Sequence, residues 1–310
     1  MRIDLHTHSR VSDGTQSPTE LVQAAADAGL DVVAITDHDT AAGWDEAVAA
    51  AEATGIELVR GMEVSTHHPG GGVHLLAYLP DPTHPGLARE LDRIVAGRGT
   101  RAPAMIEALQ AHGIEITADD VVAQEVPGRP HVADALIRLG VVADRDEAFA
   151  RWLSPGRPAY VDRYAAPLDD MIATVAAAGG VSVIAHPWGR GSRRALPPRE
   201  IERLARLGLA GIEVDHRDHE HPDVRAELRA LARDLGLVAT GSSDHHGLGK
   251  THHDLGCHTT APWEYERLVD LAAAASAASG RTTPAVLGPT SGPGTAASAA
   301  PATGRPGSDR

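Results

Sequence analysis

Short apolar runs alternate with longer helical patterns along the first part of the chain. The runs lie at residues 3–7, 32–36, 58–63 and 73–79, and their length is that of buried strands. Between the first two runs, Ser17 and Glu20 flank Pro18 in a capping-box pattern and Gly29 follows as a stop signal, which predicts a helix. A second helix is predicted for residues 43–54. This order of strand and helix is typical of a parallel sheet.

The alternation stops between residues 82 and 166, where the patterns are those of helices and loops. Helices are predicted at residues 101–112 and 131–139. Segments rich in proline and glycine, at residues 127–130 and 154–158, join them. We therefore expect a helical subdomain inserted at residues 82–166.

Strand and helix patterns resume after this insertion. Further strands are predicted at residues 181–185, 211–215 and 237–241, and helices near residues 168–178, 198–207, 222–235 and 262–275. The strands total about seven, which predicts an α/β barrel or open sheet of parallel strands. The barrel would be divided into residues 1–81 and 167–275. Residues 276–310 contain almost no large apolar residue, so we expect a disordered tail there.

Composition and charge limit the possible partners. The formal net charge of −14 disfavours binding of duplex nucleic acid or an anionic membrane over the whole surface. The single cysteine, Cys257, excludes an intramolecular disulfide and suits a reducing compartment. The chain has neither a leader-like start nor a run of 18 strongly apolar residues. We expect a cytoplasmic protein without a membrane partner.

Histidine and carboxylate side chains recur at the ends of the predicted strands. The set is His6, His8, Asp13, His38, Glu63, His74, His186, Asp244 and His246. Imidazole and carboxylate groups bind divalent metals, and barrel active sites lie at the carboxyl ends of the strands. His74 fits least well, because it stands at the start of the fourth predicted strand. A lone histidine is more often only hydrogen-bonded, but the whole set predicts a metal site at the barrel mouth.

These residues also carry a family resemblance. The segments His6-Thr7-His8-Ser9, Ser12-Asp13-Gly14 and Thr36-Asp37-His38-Asp39 resemble the first two motifs of the PHP (polymerase and histidinol phosphatase) superfamily. Residues 61–64 with His74, residues 185–187 and residues 241–247 resemble its later motifs. The likeness spans roughly residues 2–260. The insertion containing Arg129-Pro130-His131 resembles that of the stand-alone phosphoesterase branch.

The resemblance implies a distorted (β/α)7 TIM-like barrel that holds two or three divalent metal ions. By this likeness one metal would be bound by His6, His8, Glu63 and Asp244; a second by Asp13, His38 and His246; and a third by Glu63, His74 and His186. Mn²⁺ is the expected ion, with Fe, Zn or Mg as alternatives. His38, Asp244 and His246 are expected to act in catalysis, in which a metal-activated water attacks phosphorus.

Several individual residues are open to two interpretations. Arg129, His131 and Arg190 are expected to contact a substrate phosphate, but Arg129 and His131 also suit a proline-rich joint without a ligand. Asp37 and Asp39 are expected either to orient the histidine between them or to cap a turn.

A segment rich in histidine and aspartate, residues 215–221, predicts mostly a solvated loop. Within it, Asp215 or His216 could line the pocket. His245 is expected to face solvent, and His253 to lie at the surface or in packing.

The function expected from the resemblance is hydrolysis of a small phosphorylated molecule. The expected substrate is a nucleotide: a nucleoside 3',5'-bisphosphate, a nucleoside monophosphate or the 5' end of a short RNA. One alternative is a histidinol-phosphate phosphatase. A second, of another class, is a non-catalytic metal-dependent module that binds nucleotides. Such a module would have lost ligands, whereas every expected ligand position is filled here.

Overall fold

The computed structural model describes residues 1–122, 127–219 and 221–288, without the side chains of residues 190–192. Within these residues, seven strands follow one another around a barrel: β1 (Ile3–Asp4), β2 (Val32–Ile35), β3 (Glu57–His68), β4 (Gly71–Tyr78), β6 (Val181–Ile184), β7 (Gly211–Asp215) and β8 (Val238–Gly241). The short strand β5 (Ala166–Pro167) pairs with β3 outside this path. Thr7 and His245 form a parallel bridge beyond β1 and β8. The predicted distorted seven-stranded barrel is confirmed.

Nine helices are present in the described residues: α1 (Pro18–Asp27), α2 (Trp44–Thr54), α3 (Pro85–Ala111), α4 (Arg129–Arg138), α5 (Arg145–Ala148), α6 (Leu168–Ala177), α7 (Pro198–Arg206), α8 (Pro222–Leu235) and α9 (Pro262–Ser279). The predicted capping box of α1 is formed, because the Ser17 hydroxyl accepts from the Glu20 N–H at 3.1 Å and the Glu20 carboxylate accepts from the Ser17 N–H at 2.7 Å. No helix in the described residues combines the length and the apolar character that crossing a membrane requires.

Strand β4 runs antiparallel to both of its neighbours, so the expectation of a fully parallel sheet is wrong for this strand. The physical reason is the short connection: only Pro69 and Gly70 separate β3 from β4, and a parallel pair needs a much longer crossover. The start of β4 therefore lies at the edge where the parallel strands end. His74, which pairs with Ser65 of β3, reaches the predicted site for this reason.

Apolar side chains fill two layers of the barrel. Along β2, Val32 and Ala34 belong to the inner cluster, while Val33 and Ile35 belong to the layer between strands and helices. This is the alternation expected of a strand that is buried on both faces. Inside the barrel, the Tyr78 hydroxyl donates to the Leu5 carbonyl at 2.8 Å.

The residues between β4 and β5 have an apolar cluster of their own. It includes Met105 and Leu109 of α3 and Val132 and Leu136 of α4, all of them buried. The first half of α3 packs on the barrel layer through Leu87, Leu91 and Ile94. One continuous 27-residue helix thus joins the barrel to the insertion. The sequence predicted only its last part, because two glycines at positions 97 and 99 weaken the helical pattern.

The sequence predicted a disordered tail from residue 276 onward, but the chain stays ordered beyond that residue. Helix α9 continues to Ser279, favoured by its run of alanines. Beyond it, the Arg281 guanidinium donates to the Asp81 carboxylate at 2.7 Å. Leu287 and Leu58 exchange backbone hydrogen bonds of 2.8 and 3.1 Å, and the Leu287 side chain packs against the layer between strands and helices. The rest of the predicted tail, residues 289–310, lies outside the described residues.

We expect a chain that ends at Gly288 to keep the thermal stability of the full chain. A chain that ends at Ser279 should lose about 1–3 kcal/mol, because the hydrogen bonds of Leu287 and the ion pair of Arg281 disappear. In a protein of this size that loss lowers the midpoint by about 2–4 °C for each kcal/mol. Calorimetry of both truncations tests this, and equal midpoints would show that residues 280–288 add nothing to stability.

Candidate metal centre

The nine predicted ligands converge at the mouth of the barrel. Eight of them fall into groups whose nitrogen and oxygen atoms lie within 4.8 Å of one another: His6, His8, Asp13, His38, Glu63, His74, Asp244 and His246. The ninth, His186, contacts Glu63 Oε1 through Nε2 at 3.2 Å. Residues that are far apart in the chain thus meet because the strands end at one edge.

The Glu63 carboxylate lies at the centre of this cluster and is only 1% exposed. Its Oε1 atom faces His74 Nδ1 at 2.8 Å and His186 Nε2 at 3.2 Å. Its Oε2 atom faces His38 Nδ1 at 3.1 Å, His8 Nε2 at 3.1 Å and His6 Nε2 at 3.3 Å. Five imidazoles therefore surround one buried carboxylate, and each carboxylate oxygen faces a different group of these imidazoles.

The observed groups resemble the three predicted ligand sets but are not identical to them. The first consists of His6, His8, Glu63 and Asp244, as expected. The second adds His8 to the expected Asp13, His38 and His246. The third combines Glu63 and His74 with His38, where His186 was expected. The sets share residues, so bound ions would lie close together.

The protonation preferences of these groups suit metal binding. Burial lowers the pKa of His38 and of His246 to about 3 and leaves both imidazoles neutral. Burial also raises the pKa of Glu63, but the other histidines around it, His74 and His6 among them, outweigh this effect and hold that pKa well below its usual range. Neutral imidazoles and ionised carboxylates are the forms that bind metals.

His8 shows that this cluster needs positive charge. Burial lowers the pKa of His8, but the hydrogen bonds with Asp244 and Glu63 outweigh burial and raise this pKa to about 9. A proton held there offsets part of the carboxylate charge. A divalent cation would supply positive charge at the same place, so the donor set fits a metal ion.

Backbone strain coincides with the site. Asp39, His186 and Asp244 adopt left-handed conformations with φ of 58°, 30° and 53°, which residues other than glycine rarely do. Such strain persists where surrounding contacts enforce it. The Glu213 carboxylate accepts from the His186 N–H at 2.7 Å, and Lys250 pairs with the Asp244 carboxylate.

The two aspartates beside His38 support other parts of the site. Asp37 accepts hydrogen bonds from the Ser9 N–H at 2.8 Å, the Ser9 hydroxyl at 2.7 Å and the Ser12 hydroxyl at 2.6 Å. It therefore fixes the loop that carries Asp13. Asp39 accepts from the N–H of Ser65 at 2.6 Å and pairs with an arginine of α3.

Sequence reasoning missed a buried carboxylate in the middle of β7. Glu213 is fully buried and faces His6 Nδ1 at 3.2 Å. His216, just beyond the strand, is also fully buried and forms a further group with these two residues. Neither Asp215 nor His216 lines the cavity over the cluster, so the expectation that one of them could do so is wrong. A carboxylate within a short apolar strand was the available signal for Glu213.

His245 is less exposed than the sequence suggested, and His253 follows the packing alternative. His245 was expected to face solvent, but it is partly buried, with its ring nitrogens at 2.9 Å from the Gln16 side-chain oxygen and at 2.7 Å from the His253 carbonyl. His253 is buried, and its Nδ1 lies 2.7 Å from the Ser243 carbonyl.

A cavity of about 900 Å³ lies over the cluster, between the barrel and the insertion. Arg129 and His131, at the start of α4, line it. The side chain of Arg190, in the turn Gly189–Arg194, lies outside the described residues. Five arginines that the sequence did not single out also line the cavity: Arg98, Arg101, Arg145, Arg163 and Arg217. The cavity is therefore suited to an anionic ligand.

Comparison with known proteins adds a family to this geometry. The family described as PHP domain matches residues 4–116. A 3',5'-nucleoside bisphosphate phosphatase of Chromobacterium violaceum is 38% identical over 261 residues, which cover 83% of this chain and 91% of that protein. A 5'-3' exoribonuclease of Haemophilus influenzae is 36% identical over 247 residues, which cover 79% of this chain and 90% of that protein.

A solved structure has the same fold. The crystal structure of a Bifidobacterium adolescentis protein, assigned as a metal-dependent phosphoesterase, superposes with a TM-score of 0.82 at 36% identity. The superposition covers 87% of this chain and 96% of that one. The barrel and its insertion are therefore shared over most of their length.

We expect Asp37→Ala to destabilise the protein by about 2–4 kcal/mol, because three hydrogen-bond donors of Ser9 and Ser12 lose their buried acceptor. Asp27→Ala is the matched control, since Asp27 is exposed on α1 and accepts only from Gln23 in the described contacts. Denaturant unfolding of both variants gives the free energies. Equal values for the two variants would contradict the role assigned to Asp37.

Proposed function

The chain belongs to the PHP family of metal-dependent phosphoesterases, and on this premise we propose that it hydrolyses a phosphate ester of a nucleotide. The proposed substrates are a nucleoside 3',5'-bisphosphate, a nucleoside monophosphate or the 5' end of a short RNA. One observation carries the proposal: a buried cluster of histidines and carboxylates around Glu63 opens into a cavity lined by arginines. The names of the Chromobacterium violaceum and Haemophilus influenzae relatives agree with such substrates.

We propose that two or three divalent ions are the cofactors, with Mn²⁺ expected first and Fe, Zn or Mg as alternatives. The residues proposed to hold them are His6, His8, Asp13, His38, Glu63, His74, His186, Asp244 and His246. Bound ions of this kind lower the pKa of water and offset the charge on phosphoryl oxygens. The mixture of imidazole and carboxylate ligands without cysteine suits such hard-to-borderline ions better than a structural thiolate site.

Three of these residues are proposed to act at the reacting phosphate: His38, Asp244 and His246. The carboxylate of Asp13 faces His246 Nε2 at 3.2 Å and His38 Nε2 at 3.8 Å, so it holds both rings in place. The pKa of each ring, lowered by burial to about 3, keeps the imidazoles unprotonated near neutral pH. They can therefore serve as ligands throughout the reaction.

Substrate binding is proposed for Arg129, His131 and Arg190. His131 Nδ1 accepts from the Gly128 N–H at 2.9 Å, which leaves the ring proton on Nε2 as a donor for a phosphate oxygen. Burial lowers the pKa of His131, so the neutral form is the one present. The assignment of Arg190 rests on the sequence alone, because it follows His186 closely.

The charge of the cavity favours a nucleotide over histidinol phosphate. Six arginines line it, and they would repel the ammonium group that histidinol phosphate carries. A non-catalytic nucleotide-binding module is disfavoured because no predicted ligand position is lost. The cytoplasmic location, the small-molecule partner and the absence of duplex nucleic acid as a ligand stay predictions from the sequence.

Turnover by purified protein with Mn²⁺ tests the proposal. We expect hydrolysis of adenosine 3',5'-bisphosphate to exceed that of histidinol phosphate. Faster turnover of histidinol phosphate would favour the alternative enzyme. Binding of the nucleotide without release of phosphate would favour the non-catalytic module.

We expect His38→Ala to lower kcat/KM for adenosine 3',5'-bisphosphate by about 10²–10⁴-fold, which corresponds to about 3–5 kcal/mol of transition-state stabilisation. The fold should survive, because His38 follows β2 and is absent from the apolar core. His67→Ala is the matched control: His67 is an exposed histidine of β3. Circular dichroism checks folding, and a folded His38→Ala protein with turnover near that of the control would refute the mechanism.

A further inference from the structure

One carboxylate of the barrel interior lies behind the proposed metal ligands rather than among them. Glu213 is fully buried in the middle of β7, and its neighbours Ile212 and Val214 both pack in the layer between strands and helices. Because side chains alternate along a strand, the Glu213 side chain points into the barrel. A buried carboxylate is costly unless its oxygens are well paired, so the groups that pair with Glu213 indicate its role.

Both oxygens of Glu213 face groups of the metal centre. Its Oε1 atom accepts from the Ser242 hydroxyl and lies 3.2 Å from His6 Nδ1. Its Oε2 atom accepts from the His186 N–H at 2.7 Å. One carboxylate therefore contacts two of the proposed metal ligands, His6 through its ring and His186 through its backbone.

The ring of His6 presents one nitrogen to each side. Its Nε2 atom faces Glu63 Oε2 at 3.3 Å and Asp244 Oδ1 at 3.5 Å, which is the side where an ion would bind. As a metal ligand the imidazole is neutral and carries one proton. A proton on Nδ1, donated to Glu213, leaves the lone pair of Nε2 free for the ion. Glu213 thus fixes both the ring orientation and the tautomer that His6 needs.

The backbone of His186 depends on Glu213 in a different way. His186 has a φ of 30°, a conformation that residues other than glycine rarely adopt. The hydrogen bond from its N–H to the buried carboxylate helps to maintain this conformation. In this position the ring faces Glu63 Oε1 through Nε2 at 3.2 Å. Loss of the carboxylate would let the backbone relax and move the ring.

The distances alone would also allow an ion between His6, Glu213 and His216, whose ligand atoms lie within 4.8 Å of one another. The hydrogen bonds favour a different role. His216 Nδ1 accepts from the Asp218 N–H at 3.0 Å, so a neutral ring carries its proton on Nε2. That nitrogen faces Glu213 Oε2 at 3.8 Å. A protonated nitrogen does not bind a metal, so both imidazole nitrogens that face Glu213 are donors.

We propose that Glu213 is a positioning residue for the metal centre. It fixes the ring of His6 and the backbone of His186 so that both imidazoles can bind divalent ions, and it binds no ion itself. This inference rests on the proposed function and assigns a role to a residue outside the nine proposed ligands. Glu213 acts from behind these ligands and does not touch the substrate, because it is absent from the cavity lining.

Titration of metal-free protein with Co²⁺ tests this role, because the absorption spectrum of bound Co²⁺ reports the geometry of its ligands. Glu213→Gln keeps the shape but leaves one acceptor oxygen for three donors. We therefore expect Co²⁺ to bind about 10–100-fold more weakly and with a changed spectrum. Glu213→Leu, which has no acceptor, should bind Co²⁺ more weakly still. The number of ions bound at saturation should equal that of the wild type.

Glu57→Gln is the matched control. It makes the same chemical change at the start of β3, where the Glu57 carboxylate accepts from the Tyr265 hydroxyl and belongs to none of the groups that could hold an ion in the described residues. We expect the Co²⁺ affinity and spectrum of this variant to equal those of the wild type.

Two results would overturn the proposal. Unchanged Co²⁺ affinity and spectrum in folded Glu213→Gln, even with a lower thermal midpoint, would assign Glu213 to structure alone. Loss of one ion at saturation would make it a ligand. If neither Glu213 variant folds, Ser242→Ala serves the same test, because it removes the hydroxyl that holds Oε1. We expect Co²⁺ to bind this variant about 3–10-fold more weakly, and unchanged binding would again overturn the proposal.

The positioning role and the proposed function can fail separately. Co²⁺ binding needs no substrate, so the role of Glu213 is measured even if the wild-type protein hydrolyses none of the tested esters. If the wild type hydrolyses nucleotide esters but Glu213→Gln binds Co²⁺ as the wild type does, the proposed function stands and the positioning role falls. If the wild type binds no Co²⁺, the metal centre and the positioning role fall together.

Discussion

The rest of this structure depends on the burial of the Glu63 carboxylate among five imidazoles. A carboxylate that is 1% exposed cannot remain ionised without compensating positive charge. The strands meet this constraint by bringing five histidines from four parts of the chain to one point. Nearby carboxylates raise the pKa of two of them, His6 and His8, so these imidazoles can carry positive charge. The antiparallel direction of β4 belongs to the same solution, since it brings His74 to within 2.8 Å of Glu63. The arrangement of the strands and the composition of the site both serve to surround the buried Glu63 carboxylate with histidines.

The charge of the cavity lining differs from the net charge of the chain. The whole chain carries −14 formal charges, yet arginines from α3, α4, α5 and the segment before β5 line the cavity. The long helix α3 makes this possible, because it packs on the barrel at one end and on the insertion at the other. The proposed metal ligands belong to the barrel, whereas most of the arginines that line the cavity belong to the insertion. Changes in the insertion could therefore alter substrate choice without disturbing the metal ligands.

The features that depend only on residues close together in the sequence were predicted from local patterns. Apolar runs predicted the seven strands, and the Ser17–Glu20 capping box predicted α1. The His6 and His8 pair was identifiable because both follow a strand and point to one side. The direction of β4 was not predicted, because it depends on a two-residue connection rather than on the strand itself. Glu213 was within reach of the sequence, because it is a carboxylate inside a short apolar strand.

Elemental analysis of protein purified without chelators tests the central claim most directly. If the carboxylate of Glu63 organises a multinuclear centre, the wild-type protein should contain at least two divalent ions per chain. Glu63→Gln, which keeps the shape but removes the charge, should contain at least one ion fewer while remaining folded. Fewer than one ion per chain in the wild type, or equal metal content in the two proteins, would contradict the account.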